Sequence, residues 1–443
     1  MLVSESQELK IGKDAAPSMK WDFGGHYSDK ELELYLGDIV KRLWSISERS
    51  HLPMQFSIQN TSVPNAFALP GYVVITRGLL SDMENEAQFA AVMGHEIGHV
   101  MARHTAQRLS QMQLQQVGLS IGSVALKGTQ GGDALLTVGQ IGSSLLLLKF
   151  SRGQEIQSDR LGARYMSELG YDPNQAKAAH NVLQSSVDKY LKRLGKSRGQ
   201  DNFMSSLLST HPRHEVRISE IQGMINELPP YTIKEDGKFS NRFMKATASI
   251  RNINEIYFKY DKAQIYYQEG KFGRAEDELN KAISQDNLQP PFHNLMGMVR
   301  LQQKDTGKAK RLFQKALDLD PGFHPSLYGM GLVHLFDGNY TRAISSFKNS
   351  IKIYPGHGGS HFGLGKSYYK NGQYLQALPY LLNFARALPK HPEVHDMLGV
   401  CFERKSDTRS AVISYKNQLK VAPDTEPGRH ARKRLDVLAP LGL

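Results

Sequence analysis

The chain has 443 residues, enough for two or three domains of ordinary size. Apolar residues make up 40% of it and charged residues 22%, which argues against a disordered or fibrous protein, and a single cysteine, Cys401, excludes an internal disulfide framework. The formal net charge is +12, but no zinc-finger, basic-zipper or aromatic RNA-binding signature accompanies it, so we expect no nucleic-acid partner.

The N-terminal region is predicted to open with an amphipathic helix. Residues 1–20 lack the apolar core of a signal peptide, so we expect either a cytosolic protein or a leader missing from this sequence. Ser28 and Glu31 then have capping-box spacing, and apolar residues recur behind them on one helical face. This pattern predicts a helix over about 29–49.

A small sheet is predicted to follow this helix. Apolar and polar residues alternate over 54–58, which is the periodicity of a half-buried strand. The runs 65–69 and 72–76 resemble two further strands, joined through Pro70 and Gly71.

The next predicted helix carries the sequence His-Glu-Ile-Gly-His. Ser81 with Glu84 is predicted to start it, and its apolar residues face inward. This arrangement leaves His95 and His99 together on another face.

An apolar region and a third helix come next. Residues 117–150 contain an uncharged run, 134–148, that is shorter than the roughly 20 residues needed to span a bilayer. We therefore interpret the region as a buried or interfacial helix, which allows peripheral membrane association. The alternative is a membrane span. A helix over about 152–169 is predicted to end at Gly170.

The motif at 95–99 predicts a metal site. His95 and His99 are four positions apart, so on a helix their imidazoles project side by side and can share one tetrahedral ion. Glu96 then lies beside the metal without binding it and can take a proton from the attacking water as general base. The alternative is an incidental exposed helix face.

A catalytic zinc needs a third protein ligand, and Glu155 is our choice. Asp159 lies one helical turn further on, where it can accept a hydrogen bond from a ligand imidazole and fix its tautomer. Taken alone, these two residues are an ordinary acidic helix face, and the upstream motif favours the functional interpretation.

The C-terminal part repeats at intervals of 34 residues, the period of a tetratricopeptide helix-turn-helix unit. Three interleaved series share this spacing, namely Ala275, Ala309, Ala343, Ala377 and Ala411; Gly297, Gly331, Gly365 and Gly399; and Pro321, Pro355, Pro389 and Pro423. We predict a domain at 1–227, a linker at 228–257 and about five repeats at 258–443, with 428–435 as a capping helix. Such arrays form concave surfaces that bind proteins.

Several other histidines are predicted to have no metal role. His104 follows the motif by five positions, so we expect it to point away from the ligand pair and lie on the surface, as we expect of His214. The repeat histidines do not share one repeat position and are interpreted as loop and groove residues: His293, His324, His357, His361, His391 and His395.

Four motifs in this order resemble the gluzincin peptidases that include the CaaX prenyl proteases, the HtpX-like heat-shock proteases and the BepA-like proteases. The motifs are Asn65-Ala66-Phe67-Ala68, the segment 95–99, the segment 155–159 with Ser158 where the family usually has alanine, and 211–217. The resemblance covers roughly residues 4–227. It implies a zincin-like, mainly α fold with a small β-sheet (α+β), followed here by an α-solenoid.

The resemblance also implies roles for individual residues. His211 would lie near the metal, as a catalytic residue or as a fourth ligand that holds the enzyme latent, and Arg217 would stabilise the oxyanion. For Asn65, Ala66, Phe67 and Ala68, the alternatives are sheet core or an edge strand that pairs with substrate.

A peptidase domain followed by tetratricopeptide repeats looks most like the BepA-like subgroup. This likeness implies one Zn²⁺ per chain, a periplasmic location, protein substrates, and a role in quality control of outer-membrane proteins with the assembly machinery as partner. The alternative is a chaperone-like or scaffold protein that acts through its repeats and keeps a latent or structural metal site.

Overall fold

The computed structural model describes residues 2–112, 149–195 and 217–438. Its contacts divide the chain into two compact units, Met1–Ile265 and Tyr266–Leu443. Helices dominate both units, which confirms the predicted fold class. Within the described ranges, no helix combines the length and apolar character needed to cross a membrane.

The first unit contains nine labelled helices among its described residues, and a further helical segment covers 104–112. Their bounds are α1 Glu5–Asp22, α2 Lys30–Ser45, α3 Arg77–Asp82, α4 Glu86–Met101, α5 Arg152–Leu169, α6 Gln175–Arg193, α7 Arg217–Asn226, α8 Ser240–Ala246 and α9 Ala248–Gln268.

A three-stranded sheet lies against these helices. Its strands are β1 Gln55–Gln59, β2 Ala66–Leu69 and β3 Tyr72–Thr76, in the order β1-β3-β2. β3 pairs parallel with β1 and antiparallel with β2. The tight turn between β2 and β3 is possible because Gly71 has a φ of 93°, in the left-handed region that glycine tolerates. All three predicted strands are confirmed.

The main core forms where α2, α4 and α5 meet the sheet. Fully buried side chains from these elements include Leu36, Val73, Phe89 and Tyr165. α4 is buried along almost its whole length, so its motif lies inside the unit and not on an incidental exposed face.

The starts of several helices differ from the predictions. α2 is capped by Asp29, whose side chain accepts from the Leu32 amide, and not by Ser28. α4 begins after Asn85, whose side chain accepts from the Gln88 amide. Ser81 belongs instead to the short helix α3.

The sequence analysis did not predict the helices in two parts of the first unit. α1 was not predicted, although Ser4 and Gln7 form a capping box at its start. The segment predicted as a linker, 228–257, contains α8 and about the first half of α9, and Phe243 and Ile250 from these helices belong to the main core. The division between the units falls later, after Ile265.

The second unit is a succession of helix pairs, as the 34-residue period predicts. The first helices of the pairs within it are Pro290–Gln302, His324–Phe336, Gly358–Lys370 and Val394–Arg404. The second helices, including that of the first repeat, are Phe272–Gln285, Thr306–Leu319, Tyr340–Ile353, Tyr374–Ala387 and Thr408–Val421, and Glu426–Leu438 follows at the predicted capping position. The five alanines of the predicted series are fully buried.

Three of the repeat histidines do share one repeat position, which corrects the sequence analysis. His293, His361 and His395 are separated by 68 and 34 residues. Each places Nε2 2.7 or 2.8 Å from the backbone carbonyl oxygen six residues earlier. Their recurrence is therefore explained by a structural contact that ties each first helix to the preceding turn.

The repeat glycines make room for aromatic rings. A Cβ added to Gly331 would lie 2.6 Å from Cε1 of Phe347, a ring that is fully buried. We expect Gly331→Ala to lower the free energy of unfolding by about 1–3 kcal/mol, because the ring cannot move without disturbing its neighbours. Chemical denaturation of the full chain, followed by circular dichroism, measures this.

Gly273→Ala is the matched control, since a Cβ there meets nothing within 4 Å. It should leave the stability unchanged or raise it by up to about 1 kcal/mol, as alanine is the better helix former. Equal stability losses for both variants would contradict this account of the packing.

Candidate metal centre

The two histidines of α4 lie side by side, as their spacing requires. The Nε2 atoms of His95 and His99 are 3.1 Å apart, and the ring centroids are 4.7 Å apart. His99 is 2% exposed. Both rings therefore direct the same type of nitrogen toward one point inside the unit.

Close packing of α5 on α4 brings the third group to this point. A Cβ on Gly94 would lie 3.1 Å from Cα of Gly162, and a Cβ on Gly162 would lie 2.9 Å from the His95 amide nitrogen. Only glycine permits this approach of two backbones. As a result, the buried carboxylate of Glu155 lies 3.6 Å from Nε2 of His95 and 3.5 Å from Nε2 of His99.

This arrangement fits a divalent metal ion. Zinc–nitrogen bonds of about 2.0–2.1 Å in a tetrahedral site separate neighbouring ligands by roughly 3.3 Å, close to the observed spacing. His95, His99 and Glu155 each offer one ligand atom within 4.8 Å of the others. Over the described ranges, no other group of three or more such residues meets this criterion.

Asp159 holds the ring of His95, as predicted. Its Oδ1 atom lies 2.8 Å from Nδ1 of His95, so Nδ1–H donates to the carboxylate and Nε2 keeps its lone pair for a metal. Burial alone would raise the pKa of Asp159, but the hydrogen bond from His95 and the charge and hydrogen bonds of Arg217 hold that pKa below its usual range.

Arg217, at the start of α7, joins the two carboxylates of α5. Its Nε and Nη2 donate to Asp159 at 2.9 and 2.7 Å, and Nη1 lies 2.9 Å from Oε2 of Glu155. Burial lowers its pKa, yet Asp159, Glu155 and Glu96 more than compensate and raise it, so the guanidinium stays charged. All three guanidinium nitrogens thus contact carboxylates, and the contact with Glu155 orients a proposed metal ligand. The oxyanion role remains a prediction.

His104 is not on the surface, which corrects the sequence analysis. It is fully buried, and its Nδ1 lies 2.9 Å from Nδ1 of His99. Burial lowers its pKa, which favours the neutral form of the ring. The prediction assumed that the helix continues to His104. Instead, α4 ends at Met101, and Arg103 adopts a left-handed conformation, φ 59°, which turns the chain back. An arginine in that conformation has no signature in the sequence.

A cavity opens beside the metal site. Glu96, which is 4% exposed, lines it together with His95, Asp159 and Arg217. The opposite wall is apolar and comes mainly from α4, α5, α6 and α7: Ala91, Val92, Ala163, Ala176, Ala179, Leu183, Val187 and Ile221. A general base, the metal ligands and an apolar pocket therefore meet in one space.

The residues predicted to bind substrate divide into two groups. Asn65 and Ala66 line the cavity. Phe67 and Ala68 do not. The ring of Phe67 packs against Phe23 of the N-terminal region, with centroids 5.1 Å apart.

Several predictions fall on residues that the structure does not describe. His211 and His214 lie in 196–216, and all but the last two residues of the apolar region 117–150 lie in 113–148. Their predicted roles stand as predictions.

Comparisons with known proteins agree with this geometry. Residues 30–225 match the model of Peptidase family M48, and 260–322, 294–358 and 362–417 match the tetratricopeptide repeat model. The first match contains the paired histidines, Glu155 and Arg217.

Two named relatives are similar to half of this chain or more. The mitochondrial metalloendopeptidase OMA1 of Schizosaccharomyces pombe is 31% identical over 51% of this chain and 63% of its own length. The beta-barrel assembly-enhancing protease of Yersinia pestis is 27% identical over 68% of this chain and 64% of its own. The chain thus spans less than two thirds of either relative.

Among solved structures, one titled as Pseudomonas aeruginosa pilF is 16% identical and covers 44% of this chain and 88% of its own, with a TM-score of 0.37. That score is too low to support an argument, and the repeat assignment rests on the helix pairs and the family model.

The ligand geometry predicts that Glu155→Ala removes metal binding. Without the carboxylate, the two imidazoles keep only part of the donor set, so zinc affinity should fall by more than the roughly 10- to 100-fold that loss of an outer partner costs. Metal content of the purified chain by mass spectrometry, after dialysis against a chelator, measures this.

Glu168→Ala on the same helix is the control, since that side chain is about half exposed and pairs only with Arg164 in the described contacts. Retention of stoichiometric zinc by Glu155→Ala would remove Glu155 from the ligand set.

Proposed function

We propose that this chain, in which a peptidase family M48 domain precedes tetratricopeptide repeats, is a zinc-dependent endopeptidase that cleaves protein clients. The observation that carries the proposal is the convergence of His95, His99 and Glu155 at one point, with Glu96 beside the same cavity. One Zn²⁺ per chain is proposed because the described residues hold one such ligand set.

Glu96 is proposed as the general base. A zinc ion at this site supplies Lewis-acid activation of water and of the peptide carbonyl. Glu96 follows ligand His95 directly in the chain and faces the cavity, so its carboxylate is placed to receive the proton of the attacking water and return it to the departing amine. His211 is proposed, from the family resemblance, to assist catalysis or to close the fourth position in a latent form.

Substrate is proposed to bind in extended form along β2. Among the described strands, β2 pairs with β3 alone, so its other edge offers backbone groups to a peptide. Asn65 and Ala66 lead from this edge into the cavity. The apolar wall then favours a large apolar side chain next to the cleaved bond, because burial of such a side chain is favourable.

The repeats are proposed to recruit protein partners. The helix pairs form a regular array, and such arrays bind peptides and proteins on their concave faces. A relative named as a beta-barrel assembly-enhancing protease supports a role in envelope protein quality control, with outer-membrane assembly proteins as partners and the periplasm as location. Within this scheme the peptidase domain, predicted at 1–227, also takes in α8 and α9 up to Ile265, and the repeats that follow form the recruiting domain.

The proposed base predicts the behaviour of Glu96→Gln. The amide cannot accept the water proton, so cleavage of an unfolded protein such as casein should fall by about 10²- to 10⁴-fold, while zinc stays bound. Rates of peptide release and metal content, measured on the same preparation, test this.

Glu84→Gln, an exposed change just before α4, is the control and should cleave at the normal rate. Undiminished cleavage by Glu96→Gln would rule out this base, and absence of cleavage by the wild-type chain with zinc bound would favour the chaperone-like or scaffold alternative.

The apolar wall predicts selectivity. Ala179 is 3% exposed and lines the cavity, so Ala179→Phe should fill the pocket. We expect kcat/KM for peptides with leucine or phenylalanine beside the cleaved bond to fall by about 10- to 200-fold, with small residues less affected.

Ala178→Phe, the neighbouring residue outside the cavity lining, is the matched control and should leave the ratio of rates unchanged. An unchanged leucine-to-alanine rate ratio in Ala179→Phe would show that the pocket does not select substrates.

A further inference from the structure

The outer nitrogen of the second ligand histidine, Nδ1 of His99, lies against another imidazole. For His99 to bind a metal through Nε2, its proton must be on Nδ1, and that N–H needs an acceptor. The atom found there is Nδ1 of His104, at 2.9 Å. A neighbouring imidazole can accept only if its own proton is on the other nitrogen.

Gln157 selects the His104 tautomer that has its proton on Nε2. Its amide oxygen lies 3.1 Å from Nε2 of His104, and an amide oxygen only accepts hydrogen bonds. The proton of His104 therefore lies on Nε2, and its Nδ1 is an acceptor. The hydroxyl of Ser158, 3.4 Å from the same Nδ1, can donate to it and so agrees with this assignment.

The chain around His104 is built to hold this contact. Arg103, in its left-handed conformation, donates from Nε to Glu8 at 3.1 Å and from Nη2 to the Val3 carbonyl at 2.8 Å. Glu8 is 3% exposed and also accepts from Arg49, whose Nη1 donates to the carbonyl of Val100 near the end of α4. α1 thus anchors the turn that returns His104 to the metal site.

We propose that His104 and Gln157 are positioning residues that fix the tautomer of His99 and so make its Nε2 available to the metal. The inference rests on the proposed zinc site. It assigns a role to the buried histidine just beyond the motif, and it distinguishes the two ligand rings: His95 is held by a carboxylate, His99 by a neutral imidazole oriented by an amide.

The test is the zinc dissociation constant of the full-length chain, measured by competition with a chelator. His104→Phe keeps a ring but offers no acceptor, and we expect zinc to bind about 10- to 100-fold more weakly. Gln157 is exposed, so its variants leave the core untouched. Gln157→Met should weaken zinc binding in the same direction, whereas Gln157→Glu, which can only accept, should keep wild-type affinity or exceed it.

The outcomes test the metal site and the tautomer role of His104 separately. If the wild-type chain holds no stoichiometric zinc, the metal site itself fails. If wild type binds zinc and folded His104→Phe binds it equally well, only the tautomer role is overturned. If His104→Phe does not fold, the Gln157 pair decides, and a Glu variant that binds more weakly than the Met variant overturns the assignment.

Discussion

The metal site depends on one backbone contact, the crossing of α4 and α5 at four residues without large side chains. Gly94 and Gly162 meet with no room for a Cβ, and Ser158 meets Gly98 in the same way, with only 3.0 Å between its Cα and an added Cβ. This crossing fixes the distance from the carboxylate of one helix to the imidazoles of the other. A larger residue at any of these points would separate the helices and remove the third ligand, whatever the chemistry of the ligands themselves.

Charge explains why so many acidic groups can be buried together. The side chains of Glu96, Glu155 and Asp159 are 4%, 0% and 8% exposed. Burial of an ionised carboxylate costs free energy unless the group is paired. Arg217 balances one of them, and a divalent ion would balance the other two. A bound divalent ion thus offsets the charge of the described carboxylates, which couples metal binding to the stability of the unit.

Much of this architecture could be predicted from the sequence, because it follows from periodicity and spacing. The helix of His95 and His99, the end of α5 at Gly170 and the repeat helices all follow such local rules. Two kinds of feature could not be predicted. The position of His104 depends on an arginine in a rare backbone conformation, held by α1 from across the unit. The start of α4 depends on Asn85, where Ser81 offered an equally good capping pattern.

Glycines that face a neighbouring helix have different consequences in the two units. In the repeats, Gly331 and Gly363 both face the ring of Phe347, a side chain that fills the space between consecutive pairs. There a single buried side chain sets the spacing of the helices. In the first unit, glycine faces backbone, which cannot adjust without moving the whole helix. Packing of backbone on backbone suits a site whose ligand distances must hold to a few tenths of an ångström.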